Sequence, residues 1–199
     1  MAGRKGLHWA YNRRPKDGDQ FIKKIIYRYI PLFDTFSIRT RRKTKVTTYI
    51  ELEIYQFDIC VVSFYNKGYG NSDTKYKVRC HLSPGHIKAI MKACLHCFNE
   101  QRETVDHLAL VFAGADDEND HTEMNQRYQV YDRFLQDNFT DLDLYEINGS
   151  TQFNSFIFIH QDHPNKDECH LFFEAFLQKV AENLTDGNHS NTRRRSGMM

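Results

Sequence analysis

Hydrophobic positions along the chain follow two different periods, and the switches between them divide it into elements. From Asp19 the apolar positions Phe21, Ile22, Ile25, Ile26, Tyr29 and Ile30 recur at helical spacing. With Asp19 as N-cap and Pro31 as stop, this predicts a short amphipathic helix. The pattern then alternates. In 35–42, Phe36 and Ile38 alternate with Ser37, Arg39 and Arg41, and in 46–55 Ile50, Leu52 and Ile54 alternate with Tyr49, Glu51 and Glu53. Each predicts a half-buried antiparallel strand. Residues 57–65 and 74–82 flank a Gly-Tyr-Gly-Asn-Ser turn at 68–72 and predict a hairpin, completing a meander of three or four strands.

Helical spacing returns after Ser83-Pro84, an N-cap followed by proline at the first helical position, with Ile87, Ile90, Met91, Cys94, Cys97 and Phe98 as the apolar stripe. The run 107–115 is continuously apolar up to Gly114 and predicts a central strand. A helix from about Thr122 to Asp137 carries Met124, Tyr128, Tyr131, Phe134 and Leu135 on one face, and 142–147 and 155–160 predict two strands around Asn148-Gly149. Asn165 and Glu168 form a capping box for a last helix bearing Cys169, Phe172, Phe173, Phe176, Leu177, Val180 and Leu184, with Gly187 where a C-cap glycine belongs. The fold class expected is α+β: an antiparallel β-meander followed by mixed α/β elements, with helices packed on sheet. Residues 1–18 read as a flexible basic arm, 19–187 as a single domain and 188–199 as a disordered tail, a split near residue 103 being the alternative.

Composition narrows the class. The 199 residues are 40% hydrophobic and 14% aromatic, enough to build a core despite a mean hydropathy of -0.67. No apolar run approaches the ~20 residues a membrane span requires, and the basic N-terminal residues lead into no apolar segment of the secretory type. Five scattered cysteines, an odd number, suit reduced thiols, so the expected setting is cytoplasmic and no membrane partner is expected.

The net charge of +1 conceals a polarity. Residues 1–48 hold 13 Lys/Arg against 3 acids, whereas residues 100–186 hold 19 acids against 5 bases. Such a division predicts an anionic partner for the N-terminal part, or complementarity between the two parts within one molecule or across a homodimer. The basic positions Arg13, Arg14, Lys16, Lys23, Lys24, Arg28, Arg39, Arg41, Arg42, Lys43 and Lys45 are interleaved with Trp9, Tyr11, Tyr27, Tyr29 and Phe36. Phosphate contact and base stacking use such a mixture, although no nucleic-acid module signature accompanies it. An acidic protein surface is the other partner it suits.

Candidate chemistry centres on His160, Asp162, His163, Cys169 and His170, at the end of a predicted strand and the first turn of a helix. Imidazole, carboxylate and thiolate are zinc ligands, and His160, His163 and Asp162 are the residues to hold zinc or magnesium or to perform acid–base catalysis in a hydrolase or nuclease. The spacing fits no metal motif, and Cys169 suits a core position beside Phe173 and Phe176. Cys94 and Cys97 share the apolar stripe of their helix while His96 falls opposite, so this trio reads as buried thiols. The acids Asp116, Asp117, Glu118, Asp120 and Glu123 could hold a divalent ion, but they also suit the approach to a helix N-terminus. His81-Leu82-Ser83 has the His-x-Ser form of two-histidine phosphoesterases without a second copy, and Ser83 serves as a helix cap. Dinucleotide-binding, P-loop and nucleophile-elbow motifs are missing. The reading is therefore a non-enzymatic protein that engages an anionic partner, with a metal-assisted hydrolase or nuclease as the alternative.

Overall fold

Alternation along the first strands decides how the chain begins. The computed structural model describes residues 7–13, 21–30, 35–37, 42–44, 46–67, 84–113 and 126–192. Phe21–Tyr29, expected as a helix, is strand β2: Ile25, Tyr27 and Tyr29 are buried, and between them lie half-buried Ile26 and exposed Arg28. The stretch satisfies both periods, but four isoleucines and three aromatic residues in Phe21–Ile30 favour the pleated backbone, and a long partner strand stands ready to pair with it. Within the expected arm, β1 (Leu7–Arg13) pairs antiparallel with β2, with a register shift between Trp9 and Tyr11.

Short strands β3 (Thr35–Ser37) and β4 (Arg42–Thr44) form a separate two-stranded ribbon, an excursion between β2 and β5 that a simple meander lacks. Strand β5 (Thr48–Tyr55) pairs with both β2 and β6 (Ile59–Asn66), all antiparallel. The expected hairpin partner of β6 at 74–82 lies outside the described residues.

Helix α1 (Pro84–Arg102) follows, with Ile90, Met91, Cys94, Cys97 and Phe98 buried as the stripe requires. It returns the chain to β7 (Ala109–Ala113), parallel to β6. Ala109, Leu110, Val111 and Phe112 are all buried, as expected of a strand covered on both faces. Helix α2 (Gln126–Asn138) leads to β8 (Tyr145–Ser150) and β9 (Ser155–His160), and α3 (Lys166–Thr192) passes Gly187 without stopping there. The expected turn at Asn148-Gly149 is instead part of β8, where these residues pair with Ile157 and Phe156; the reversal falls at 151–154.

The result is a mixed α/β fold with a seven-stranded sheet in the order β1-β2-β5-β6-β7-β9-β8. On one face α1 and α2 cover a core that includes Tyr27, Leu52, Val62, Phe98, Leu110 and Phe158. On the other, Cys169 and Phe173 of α3 pack on Ile59, Val61, Val111, Ile157 and Ile159. Among the described residues no helix is long and apolar enough to cross a membrane.

Candidate functional site

Strands β6 and β7 begin side by side, with Ile59 in register with Ala109, and both are entered through strained backbone. Phe57, Asp58 and His107 adopt positive φ of 61°, 52° and 57°, a region that non-glycine residues enter only when the surroundings hold them there. Because β9 runs antiparallel to β7, its last residue, His160, arrives at the same end of the sheet. His107 and His160 pack ring on ring with centroids 4.4 Å apart, and Tyr145 meets the His160 ring at right angles, 5.1 Å away. The sequence gives no warning of His107 or Asp58, because they reach this place from other strands and no spacing marks them.

Backbone donors occupy the two candidate histidines. Asp162 N–H donates to His160 Nδ1 at 3.1 Å, and Asn165 N–H donates to His163 Nδ1 at 3.0 Å. In a neutral ring whose Nδ1 accepts, the proton resides on Nε2. His163 is buried, its ring nitrogens 3.8 and 3.7 Å from Cys169 Sγ, which lies 3.9 Å from the carbonyl oxygen of Phe57. Burial lowers the pKa of both histidines. For His160 the adjacent His107 lowers it further while Asp162 opposes; for His163 the Asp58 carboxylate opposes burial, as does hydrogen bonding of the ring to the backbone of Phe57 and Asp58.

This arrangement corrects the metal reading. His160 faces His107 and Tyr145, His163 faces Cys169, and the Asp162 side chain extends into solvent with its carboxylate 3.8 Å from His160 Nδ1. Among the described residues no three His, Cys, Asp or Glu side chains converge where a metal ion could sit, so His160, His163 and Asp162 do not form the zinc or magnesium site of the alternative reading. The Cys169 thiol is pushed up to about 12, chiefly by burial, and is a core group rather than a ready nucleophile. His170 lies apart, its Nε2 3.3 Å from Glu146. Cys94 and Cys97 are buried free thiols, while His96 sits 3.5 Å from Glu100 on its own helix. His81, Ser83 and the acids of 116–123 fall outside the described residues.

No known protein family, curated protein or solved structure matches the chain. Arg13 belongs to β1, Lys23, Lys24 and Arg28 to β2, and Arg42 and Lys43 to β4; Arg14, Arg39, Arg41 and Lys45 lie outside the described residues. The ammonium of Lys24 bonds Glu53 and lies 3.8 Å from Glu51. Arg28 is exposed, and among the described residues no acid pairs with it.

Strand order turns charge along the chain into charge across the sheet. Basic β1 and β2 form one edge, while β8, with Glu146 and the preceding Asp141 and Asp143, forms the other. Among the described residues Lys24 pairs with Glu51 and Glu53 and Arg102 with Asp141, and no ion pair joins 1–48 to 100–186.

Proposed function

We propose that the protein is a non-enzymatic binding protein whose basic N-terminal strands engage an anionic partner, a nucleic acid or an acidic protein face. The observation that carries this reading is the separation of charge onto opposite edges of one sheet, with Arg28 exposed on the basic side and unpaired among the described residues. A polyanion meeting that edge releases counterions from its own atmosphere, and the association weakens steeply as salt rises. The buried thiols of Cys60, Cys94, Cys97 and Cys169 suit a reducing compartment, so the partner is sought in the cytoplasm.

The test is binding of the full chain to heparin and to nucleic acid across a salt titration, comparing Arg28→Glu and the pair Arg42→Glu/Lys43→Glu with wild type. Both variants should weaken binding and flatten its salt dependence. Lys24→Gln should change binding less, because its charge is already spent on Glu51 and Glu53. Association with no polyanion, or association indifferent to salt, rejects the reading.

A further inference from the structure

Side chains alternate across a sheet, so the residues that alternate with Ile25 and Tyr27 of β2, Ile50 and Leu52 of β5, and Cys60 and Val62 of β6, all of which pack in the core beneath α1, belong to the opposite face. On that face the register aligns Arg28 of β2 with Tyr49 of β5 and Tyr49 with Tyr65 of β6. One cross-strand row thus holds an exposed guanidinium beside two half-buried phenol rings, whose centroids are 5.5 Å apart with planes inclined by 31°. The backbone register continues onto β1, where His8 stands opposite Arg28 and, four residues along β2, Arg13 stands opposite Lys24.

We propose, building on the polyanion reading above, that this row takes single-stranded nucleic acid, with a base against Tyr49 and Tyr65 and the adjoining phosphate against Arg28. Aromatic rings accept any base on their faces, and a cation one strand away supplies the phosphate contact, so the row has both components of a sequence-tolerant single-strand site. Nearby carboxylates are already engaged and do not leave bare charge facing a phosphate. Glu51 is buried, takes a hydrogen bond from Tyr65 and lies 3.8 Å from Lys24; Glu53 bonds Lys24 and accepts from the Tyr55 hydroxyl at 2.9 Å. The bond to Glu51 also holds the Tyr65 ring, so less freedom is lost when a base arrives. An intact duplex keeps its base faces stacked inside and cannot use the tyrosines, and an acidic protein face needs only the cations.

Fluorescence anisotropy of the full chain with labelled oligothymidylate, a DNA duplex of equal length and heparin tests the assignment, with folding of each variant verified by circular dichroism. Tyr49→Leu should weaken oligothymidylate binding about tenfold while leaving heparin binding within about twofold, and Tyr49→Phe should retain the wild-type affinity. Duplex should bind more weakly than the single strand. Equal affinity for duplex and single strand, or a Tyr49→Leu chain that binds oligothymidylate like wild type, overturns the single-strand site and leaves the polyanion reading standing if heparin still binds in a salt-dependent way. Equal losses for heparin and oligothymidylate in Tyr49→Leu also overturn it. Failure of wild type to bind all three probes removes both readings.

Discussion

The hydroxyl of Tyr128 on α2 occupies the space above Gly149 of β8 that a Cβ there would need, and the Tyr128 ring stacks on Phe156 of β9 with centroids 4.3 Å apart. Gly149 serves close approach of a helix to a sheet edge, not a reversal of the chain.

Gly149→Ala should therefore destabilise the protein by about 1–3 kcal/mol through overpacking. Adding Tyr128→Phe removes the atom the new methyl strikes first and should recover much of the loss. Urea denaturation of the two single variants and the double variant measures the coupling, and a purely additive result contradicts the contact.

Acid should loosen the junction between β9 and α3. His160 and His163 have folded-state pKa values lowered from about 6.5, first by burial. Below that value the unfolded chain binds protons that the folded chain refuses, so their contribution to stability is full above about pH 6.5 and declines as pH falls toward the folded values. His107, Arg102 and Lys166 reinforce the lowering at His160 and Asp162 opposes it; at His163, Asp58 opposes it. Unfolding midpoints should drop between about pH 7 and 5, with a shallower slope in His163→Gln. Equal slopes in the two proteins would remove His163 from this account.

Thiol chemistry separates a core cysteine from a nucleophile. Burial pushes the thiols of Cys60, Cys94 and Cys97 far up and that of Cys169 to about 12, so none is a ready thiolate at neutral pH. In a Cys80→Ser chain an aromatic disulfide reagent should find no thiol until denaturant is added. Fast modification of Cys169 in the folded protein would instead mark it as a nucleophile activated by His163.

Where pattern and packing agree, the sequence was enough to read the structure. The stripe of α1 and the continuous run of β7 are examples, because burial there depends on period and length alone. Phe21–Tyr29 shows the opposite case: the same residues fit a period of 3.6 and a period of 2, and their β-branched and aromatic content together with pairing to β1 and β5 selects the strand. Gly149 was legible as a special position, but its reason lies on α2, far away in sequence. The histidine cluster was visible only in its local half. His160 and His163 are close along the chain, whereas His107 and Asp58 join them through sheet topology and left-handed backbone that no residue type announces.

Lys24 illustrates how a surface charge becomes structural. Glu51 is 2% exposed, and Lys24 bridges it to Glu53 across the β2–β5 pair. Lys24→Met leaves a buried carboxylate with weaker compensation and should cost on the order of 2–3 kcal/mol, with Glu51→Gln costing less because no charge is then stranded. Urea midpoints for the two variants check the order, and a Lys24→Met chain as stable as wild type shows that the pair contributes nothing.

Charge on opposite edges also bears on self-association. Pairing two β1 edges would bring like charge to like charge, and the open backbone of an edge strand does not by itself overcome that repulsion. Because the basic and acidic edges lie at opposite ends of the seven-stranded sheet, a two-fold dimer sets each basic edge over the other copy's acidic edge only with the two molecules laid face over face in opposite directions, and that arrangement makes the same contact twice and closes. Its attraction is screened within roughly 10 Å at 0.1 M salt and roughly 3 Å at 1 M, so the dimer should form at low ionic strength and dissociate as salt is added. Sedimentation equilibrium across that range reads it directly. A monomer at every salt and protein concentration assigns the basic edge wholly to a different partner, and a dimer that survives high salt requires an apolar contact instead of the charged edges.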